Sequence, residues 1–309
     1  MHKGIAVTSN PAPDEAARAR FQLVLLAFAW GTNWPAIKIG LEEFSPWGYR
    51  LIGFTISAVF LAALVKAQGL SLAVPRGAVR WHIVISSALN IVAFGLFSTF
   101  AQLTASTRRI AVVTYSFPVW ASLLGWLVLG GKLNRNAVIG LVLCIAGLAV
   151  LVYPVLGSEA LIGLSLSLAC AMTWGIATIY LKLVKLPSGL AITTWQVIFA
   201  VFAMAVLFPI FQGWPTLQPV SLRSTLAVIF SGTVGTGLAY VWWFRVAGIL
   251  PAATASLGTL AVPVIGVISS ALLLGERPDV PETIGFAMIF AAAACVIFGP
   301  RERTPASAS

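Results

Sequence analysis

Pro118 is followed by Leu129-Gly130-Gly131-Lys132 and Ile139-Gly140, and 145 residues later the chain repeats the pattern as Pro263, Leu274-Gly275-Glu276-Arg277 and Ile284-Gly285. Upstream, Trp30-Gly31 and Lys38 return 144 residues on as Trp174-Gly175 and Lys182. One residue of drift between two distant blocks is what an old internal duplication leaves. In an apolar chain, duplicated halves point to a carrier that exchanges conformations around a site between them.

Composition sets the class. Of 309 residues, 59% are hydrophobic and 9% charged, whereas a soluble domain carries about a quarter charged residues. A bilayer helix needs about 20 mostly apolar residues. Ten stretches qualify, at approximately 21–40, 48–66, 81–103, 110–129, 137–154, 160–182, 190–211, 222–246, 251–273 and 282–298. Runs such as Ile139 to Tyr153 are apolar on every face, which suits helices rather than the alternating strands of a barrel. Residues 1–20 lack the apolar core of a cleaved signal, so Phe21 is expected to open a retained helix.

The expected fold is all-α and integral to the membrane. Ten transmembrane helices form two inverted five-helix repeats, 21–154 and 160–298, around a central cavity, with tails at 1–20 and 299–309. Inversion follows from the odd span number, because the second repeat must enter from the opposite side.

Charge sets the orientation. With the N-terminus inside, the inner side collects Lys3, Arg18, Arg20, Lys66, Arg76, Arg80, Lys132, Arg135, Lys182, Lys185, Arg245, Arg301 and Arg303. The outer side receives Arg108, Arg109 and Arg277, with Arg50 and Arg223 at span edges, and the acidic Glu42, Glu43, Glu159, Glu276, Asp279 and Glu282. Basic residues decide topology, so both termini are expected in the cytoplasm of a bacterium with this chain in its inner membrane. The net charge of +10 is then topogenic, and no nucleic-acid partner is expected.

No Asp or Glu lies in the middle third of a span, and the histidines are His2 and His82. Proton- or sodium-coupled carriers usually keep an ionisable group inside the bundle, so uncoupled movement is expected. No His, Cys or carboxylate cluster has metal-ligand spacing, and no base adjoins a nucleophile, so neither a metal, a cofactor nor catalysis is expected. Cys144, Cys170 and Cys295 read as small apolar packers.

The candidate binding surface is aromatic and amide-bearing. Trp30, Asn33, Trp34 and Ile37 share one helix face. Asn90, Phe94 and Phe97 line another, Tyr115 precedes Pro118, Trp174 is the repeat partner of Trp30 with Thr178 one turn on, and Tyr240 and Trp243 follow the glycines 232, 235 and 237. Buried amides need partners, so Asn33 and Asn90 should face the interior. Packing accounts for Trp30, Trp34 and Trp174 as readily as cavity lining does, and Trp47, Trp81 and Trp214 suit the interfacial belt. Lys38 and Lys182 are expected to snorkel, and Ser231, Gly235 and Ala239 to let helices approach. Pro118 and Pro263, inside the fourth and ninth helices, are hinge candidates because each removes a backbone hydrogen bond.

The block from Trp243-Phe244-Arg245 through Ala252, Ala253, Ser256 and Pro263 to Leu274-Gly275-Glu276 resembles the C-terminal repeat of the EamA family of the drug/metabolite transporter superfamily. Trp30-Gly31-Thr32-Asn33-Trp34 with Pro118 resembles its partner repeat, so the likeness spans all ten helices. One departure is Gly130-Gly131 where the second half has Gly275-Glu276, so Glu276 is given no role beyond capping or an outer salt bridge. The aromatic interior without carboxylates is most similar to the YddG-type exporters of aromatic amino acids. That resemblance implies a ten-helix basket whose central cavity exports aromatic and other neutral amino acids or related metabolites. Inverted repeats suit a carrier that works within one chain, as a monomer, by alternating access, with the lipid bilayer as its other partner. Multidrug, organic-cation and nucleotide-sugar carriers of the same fold remain alternatives, as does a non-transport membrane protein.

Overall fold

The structure, a computed structural model, describes residues 13–73, 76–130, 135–186, 189–213, 219–250 and 252–298. Gly131, Lys132, Trp214 and the expected tail segments 1–12 and 299–309 lie outside the described residues. Among the described residues there are no strands, and ten helical spans follow one another. α1 is Pro13–Gly40 and α2 is Pro46–Ala67. α3 is Ala78–Thr104, with a π-helical stretch at Ala88–Ala93. α4 is Thr107–Leu129, interrupted between Thr107–Thr114 and Phe117–Leu129. α5 is Arg135–Val152, α6 Ala160–Val184 and α7 Leu190–Gln212. α8 covers 222–249, with a second π-helical stretch at Ser231–Leu238. α9 is Ala252–Leu274 and α10 Val280–Phe298.

Eight of these spans are long and apolar enough to cross a membrane. Of the other two, α1 carries Arg18, Arg20, Asn33 and Lys38, and α9 is apolar over Thr259–Leu274. Large apolar side chains such as Val59, Phe202, Leu226 and Leu272 are exposed on the surface, which suits lipid as the surrounding solvent.

Two expected helix positions differ in the structure. α1 opens at Pro13, eight residues before Phe21, so part of the expected 1–20 tail is helical. Proline in the first turn has its φ preset, and Asp14 and Glu15 complement the positive end of the helix dipole. Pro118 does not sit inside a continuous fourth helix. It lies in the first turn of the segment Phe117–Leu129, where its missing N–H costs nothing, whereas Pro263 lies within an unbroken α9.

The packing is reciprocal. α1 packs against α8 and α9, while its counterpart α6 packs against α3 and α4. α2 pairs with α7, and α5 with α10. Each repeat thus sets its first helix against the third and fourth of the other, as a two-fold between inverted five-helix repeats requires. The Trp-Gly pairs serve that contact. A Cβ on Gly31 would stand 2.5 Å from Ile265 Cγ2 and 3.0 Å from the Val262 carbonyl, and one on Gly175 would stand 3.3 Å from the Ala121 amide nitrogen. Gly31 admits the helix carrying Pro263 where a larger residue would clash, and Gly175 gives the helix beside Pro118 a close but less demanding approach.

With an even number of spans, the start of α1 and the end of α10 lie at one end of the bundle, and the opposite, distal end is tied by ionic and polar contacts between the repeats. Glu276 accepts from the amides of Thr107 and Arg108 at 3.0 and 3.1 Å, capping the start of α4, and pairs with the Arg108 guanidinium at 3.5 Å. Glu282 takes Arg108 Nε at 2.7 Å and Nη2 at 3.0 Å, and also accepts from Arg109 Nε. Arg223 pairs with Glu42 at 3.0 Å. Glu43 accepts from the amide and hydroxyl of Ser221, and those bonds hold its carboxyl below the usual carboxylate range. A lowered pKa means that this contact is intact above the ordinary carboxylate range and is lost as pH falls.

Candidate functional site

A cavity of about 260 Å³ lies between the repeats. α1 presents Trp30, Asn33, Trp34 and Ile37 to it, the four residues spaced along one helix face. α3 contributes Asn90 from its π-helical stretch and Phe94 directly after it. α4 contributes Thr114, Tyr115, Phe117 and Pro118 around its interruption, and α6 contributes Trp174 and Thr178. From α8 come Gly235 and Thr236 of the second π-helical stretch, then Tyr240 and Trp243. All nine expected binding residues therefore line one cavity, together with Pro118. Pro263 is not among the lining residues, and neither is Phe97.

The π-helical stretches occupy the third span of both repeats and carry lining residues in each. An extra residue per turn re-aims side chains and recurs at functional sites. Nothing in Ala88–Ala93 announces the feature, since it contains no proline or glycine.

The walls are rings from both repeats. Trp174 meets Phe94 at 5.2 Å, Phe117 at 5.8 Å and Trp30 at 6.3 Å between centroids. Trp30 continues to Trp243 at 5.9 Å, and Phe117 to Tyr115 at 6.0 Å. Centroid separations of this size are those of favourable edge-on and tilted pairs. The repeat-related Trp30 and Trp174 are thus in contact at the cavity wall, with an interplanar angle of 83°.

Polar groups are set among these rings without internal partners. The amide oxygens of Asn33 and Asn90 are both buried and accept no hydrogen bond among the described residues, and so is the Thr114 hydroxyl. Asn33 occupies space that any larger residue at 235 would claim, since a Cβ on Gly235 would lie 2.3 Å from its Oδ1. An unpaired buried amide costs roughly 1–3 kcal/mol, which favours a role in meeting a polar guest.

The largest correction concerns Arg50. The sequence reading puts Arg50 at a span edge and outside the binding surface, but Arg50 lines the cavity and is 6% exposed. Its Nε donates to the Gly95 carbonyl at 2.9 Å and to the Thr99 hydroxyl, and its Nη2 donates to Ser98 Oγ at 2.8 Å. The rings of Tyr49 and Phe54 each lie 5.7 Å from its Cζ. The signal available in sequence was Gly95-x-x-Ser98-Thr99 on α3, a cluster of acceptors in an apolar helix.

Lys38 was expected to snorkel, and instead it donates to the Gln102 carbonyl. Gln102 in turn donates to the Trp34 carbonyl at 2.9 Å and accepts from Thr107 Oγ1 at 2.8 Å. This relay fixes the α1 wall against α3 and α4.

Comparison with known proteins gives a consistent picture. The family model described as the EamA-like transporter family matches residues 18–153 and 161–298, one match per repeat. An Escherichia coli protein named "Probable amino-acid metabolite efflux pump" is 25% identical over 91% of this chain and 95% of its own length. A Streptantibioticus cattleyicolor protein named "Probable terminal-alkyne amino-acid exporter" is 24% identical, covering 88% of this chain and 91% of that one. A solved crystal structure superposes with a TM-score of 0.64 at 22% identity, over 92% of this chain and 96% of the other, a likeness of fold.

Proposed function

The chain belongs to the EamA-like transporter family, and on that premise we propose that it exports aromatic and other neutral amino acids or closely related metabolites. The supporting observation is the cavity itself, walled by Trp30, Phe94, Trp174 and Trp243 from both repeats and set with the unpaired amide oxygens of Asn33 and Asn90. Rings of this kind stack on an aromatic or aliphatic side chain and attract an ammonium group over their faces. The names carried by the Escherichia coli and Streptantibioticus relatives lend support to an amino-acid substrate.

The proposed mechanism is alternating access. Both termini face the cytoplasm, substrate enters between the repeats, and the α4 and α9 segments near Pro118 and Pro263 rock to open the distal end. Among the described residues no carboxylate lines the cavity, which favours movement down the substrate gradient without a proton relay. An organic-cation carrier is disfavoured by the buried guanidinium, and a nucleotide-sugar carrier by there being one cationic residue among the described lining residues.

Counterflow in proteoliposomes tests this reading. Vesicles preloaded with unlabelled phenylalanine should accumulate labelled phenylalanine well above protein-free vesicles, with or without an imposed proton gradient. Gradient-driven flux of a lipophilic cation, with none of phenylalanine, would contradict it. For the hinge, Pro263→Ala restores a backbone hydrogen bond within α9. It should slow counterflow severalfold while phenylalanine still binds with near wild-type affinity, and equal loss of both would remove the hinge role.

A further inference from the structure

A cation buried in a bundle demands an account. Charged side chains inside a membrane are costly and are ordinarily paired with an opposite charge. Arg50 has none: its hydrogen-bond acceptors are one carbonyl and two hydroxyls, all neutral, and among the described residues no carboxylate pairs with it. The acidic residues of the distal end are occupied elsewhere, Glu276 and Glu282 by Arg108 and Arg109, Glu42 by Arg223, and Glu43 by Ser221. A neutral donor such as glutamine could tie α2 to α3 through these acceptors without the cost of a charge.

We infer that Arg50 is the carboxylate anchor of the substrate site, so that the cavity selects solutes bearing a free monocarboxylate and rejects their amide or amine counterparts. The inference rests on the reading of this cavity as the transport site. Nε and Nη2 are engaged by α3, which fixes the guanidinium plane, and Nη1 takes part in none of those bonds. A guanidinium held on one edge by fixed neutral acceptors is preorganised for a planar carboxylate. One cation in the lining balances one carboxylate, and a phosphate of nearly two charges would leave negative charge uncompensated. Asn33 and Asn90 supply buried acceptor oxygens for an ammonium group, and the tryptophan faces supply attraction for its charge. The cavity therefore holds complements to both charges of a zwitterion, with rings left for the side chain.

The test is competition against labelled phenylalanine in proteoliposome counterflow, with phenylalanine, phenylalaninamide and phenethylamine as competitors. Wild type should prefer phenylalanine over the other two by at least about tenfold, the scale of one charge-assisted hydrogen-bond pair. Arg50→Lys should keep much of that preference, and Arg50→Gln should lose it. Equal competition by all three compounds on the wild type would overturn the anchor while leaving amino-acid transport standing. Absence of any phenylalanine counterflow in the wild type would instead sink the proposed function. If Arg50 only staples α2 to α3, Arg50→Gln would weaken every competitor alike and keep the preference, which also overturns the proposal. Should Arg50→Gln fail to fold, direct binding of the three compounds to the wild type and to Arg50→Lys decides the matter, since a charge-dependent anchor requires both to discriminate.

Discussion

Replacing Glu282 with alanine is expected to destabilise the folded chain by about 3 kcal/mol or more, the scale of stranding a buried charge partner. Glu282 is 1% exposed and accepts two bonds from Arg108 and one from Arg109, so its removal leaves two guanidinium groups without their main counter-ion. It also closes a reciprocal cap on α10: its carboxylate accepts from the Asp279 amide at 3.1 Å, and its own amide donates to Asp279 Oδ1 at 2.7 Å. Such a capping box satisfies amides that no turn of the helix can reach. The loss should appear as a melting temperature in detergent lowered by several degrees, with Glu282→Gln falling between the variant and wild type. A Glu282→Ala protein that melts with the wild type would show that these contacts contribute nothing.

Trp174→Ala is expected to have the largest effect on transport. The indole touches Trp30, Phe94 and Phe117, so it joins α6 to α1, α3 and α4 at the cavity wall. Each ring pair contributes about 1 kcal/mol beyond the area it buries. Losing the ring should raise the half-saturating phenylalanine concentration in counterflow by at least about tenfold, equivalent to roughly 1.4 kcal/mol. Trp174→Phe should retain part of the affinity, and Trp81→Ala, which removes an exposed indole, should retain nearly all of it. Wild-type kinetics in Trp174→Ala would take the aromatic wall out of the site.

Much of the architecture was legible because apolar spans and an internal duplication are coarse signals. The repeated Trp-Gly pairs mark the contact between the repeats, since the tryptophans meet at the cavity while Gly31 and Gly175 admit the neighbouring helix. The face Trp30, Asn33, Trp34, Ile37 followed from helical spacing alone. Arg50 was misplaced for a physical reason. It is the fifth residue of α2, and a linear reading cannot tell a residue near a helix end that turns to lipid from one whose neighbour, here α3, offers acceptors. The π-helical stretches were hidden because Ala88–Ala93 has ordinary helix-forming composition, and the glycines of Ser231–Leu238 read equally well as packing residues. Pro118 and Pro263 match in sequence but differ in structure, because an interruption at 115–116 lets the first begin a helix while the second stays within one.

The central claim is that substrate occupies the cavity between the repeats, and site-directed labelling tests it most directly. Thr178 lines the cavity on α6 and is close to cysteine in volume, so Thr178→Cys in a Cys295→Ser background places a thiol at the wall while Cys144 and Cys170 stay buried. The rate of its modification by a small methanethiosulfonate reagent is then measured with and without phenylalanine. Phenylalanine is expected to slow labelling with the concentration dependence of transport by the same variant. An unchanged rate at phenylalanine concentrations that saturate that transport would mean that the substrate passes elsewhere.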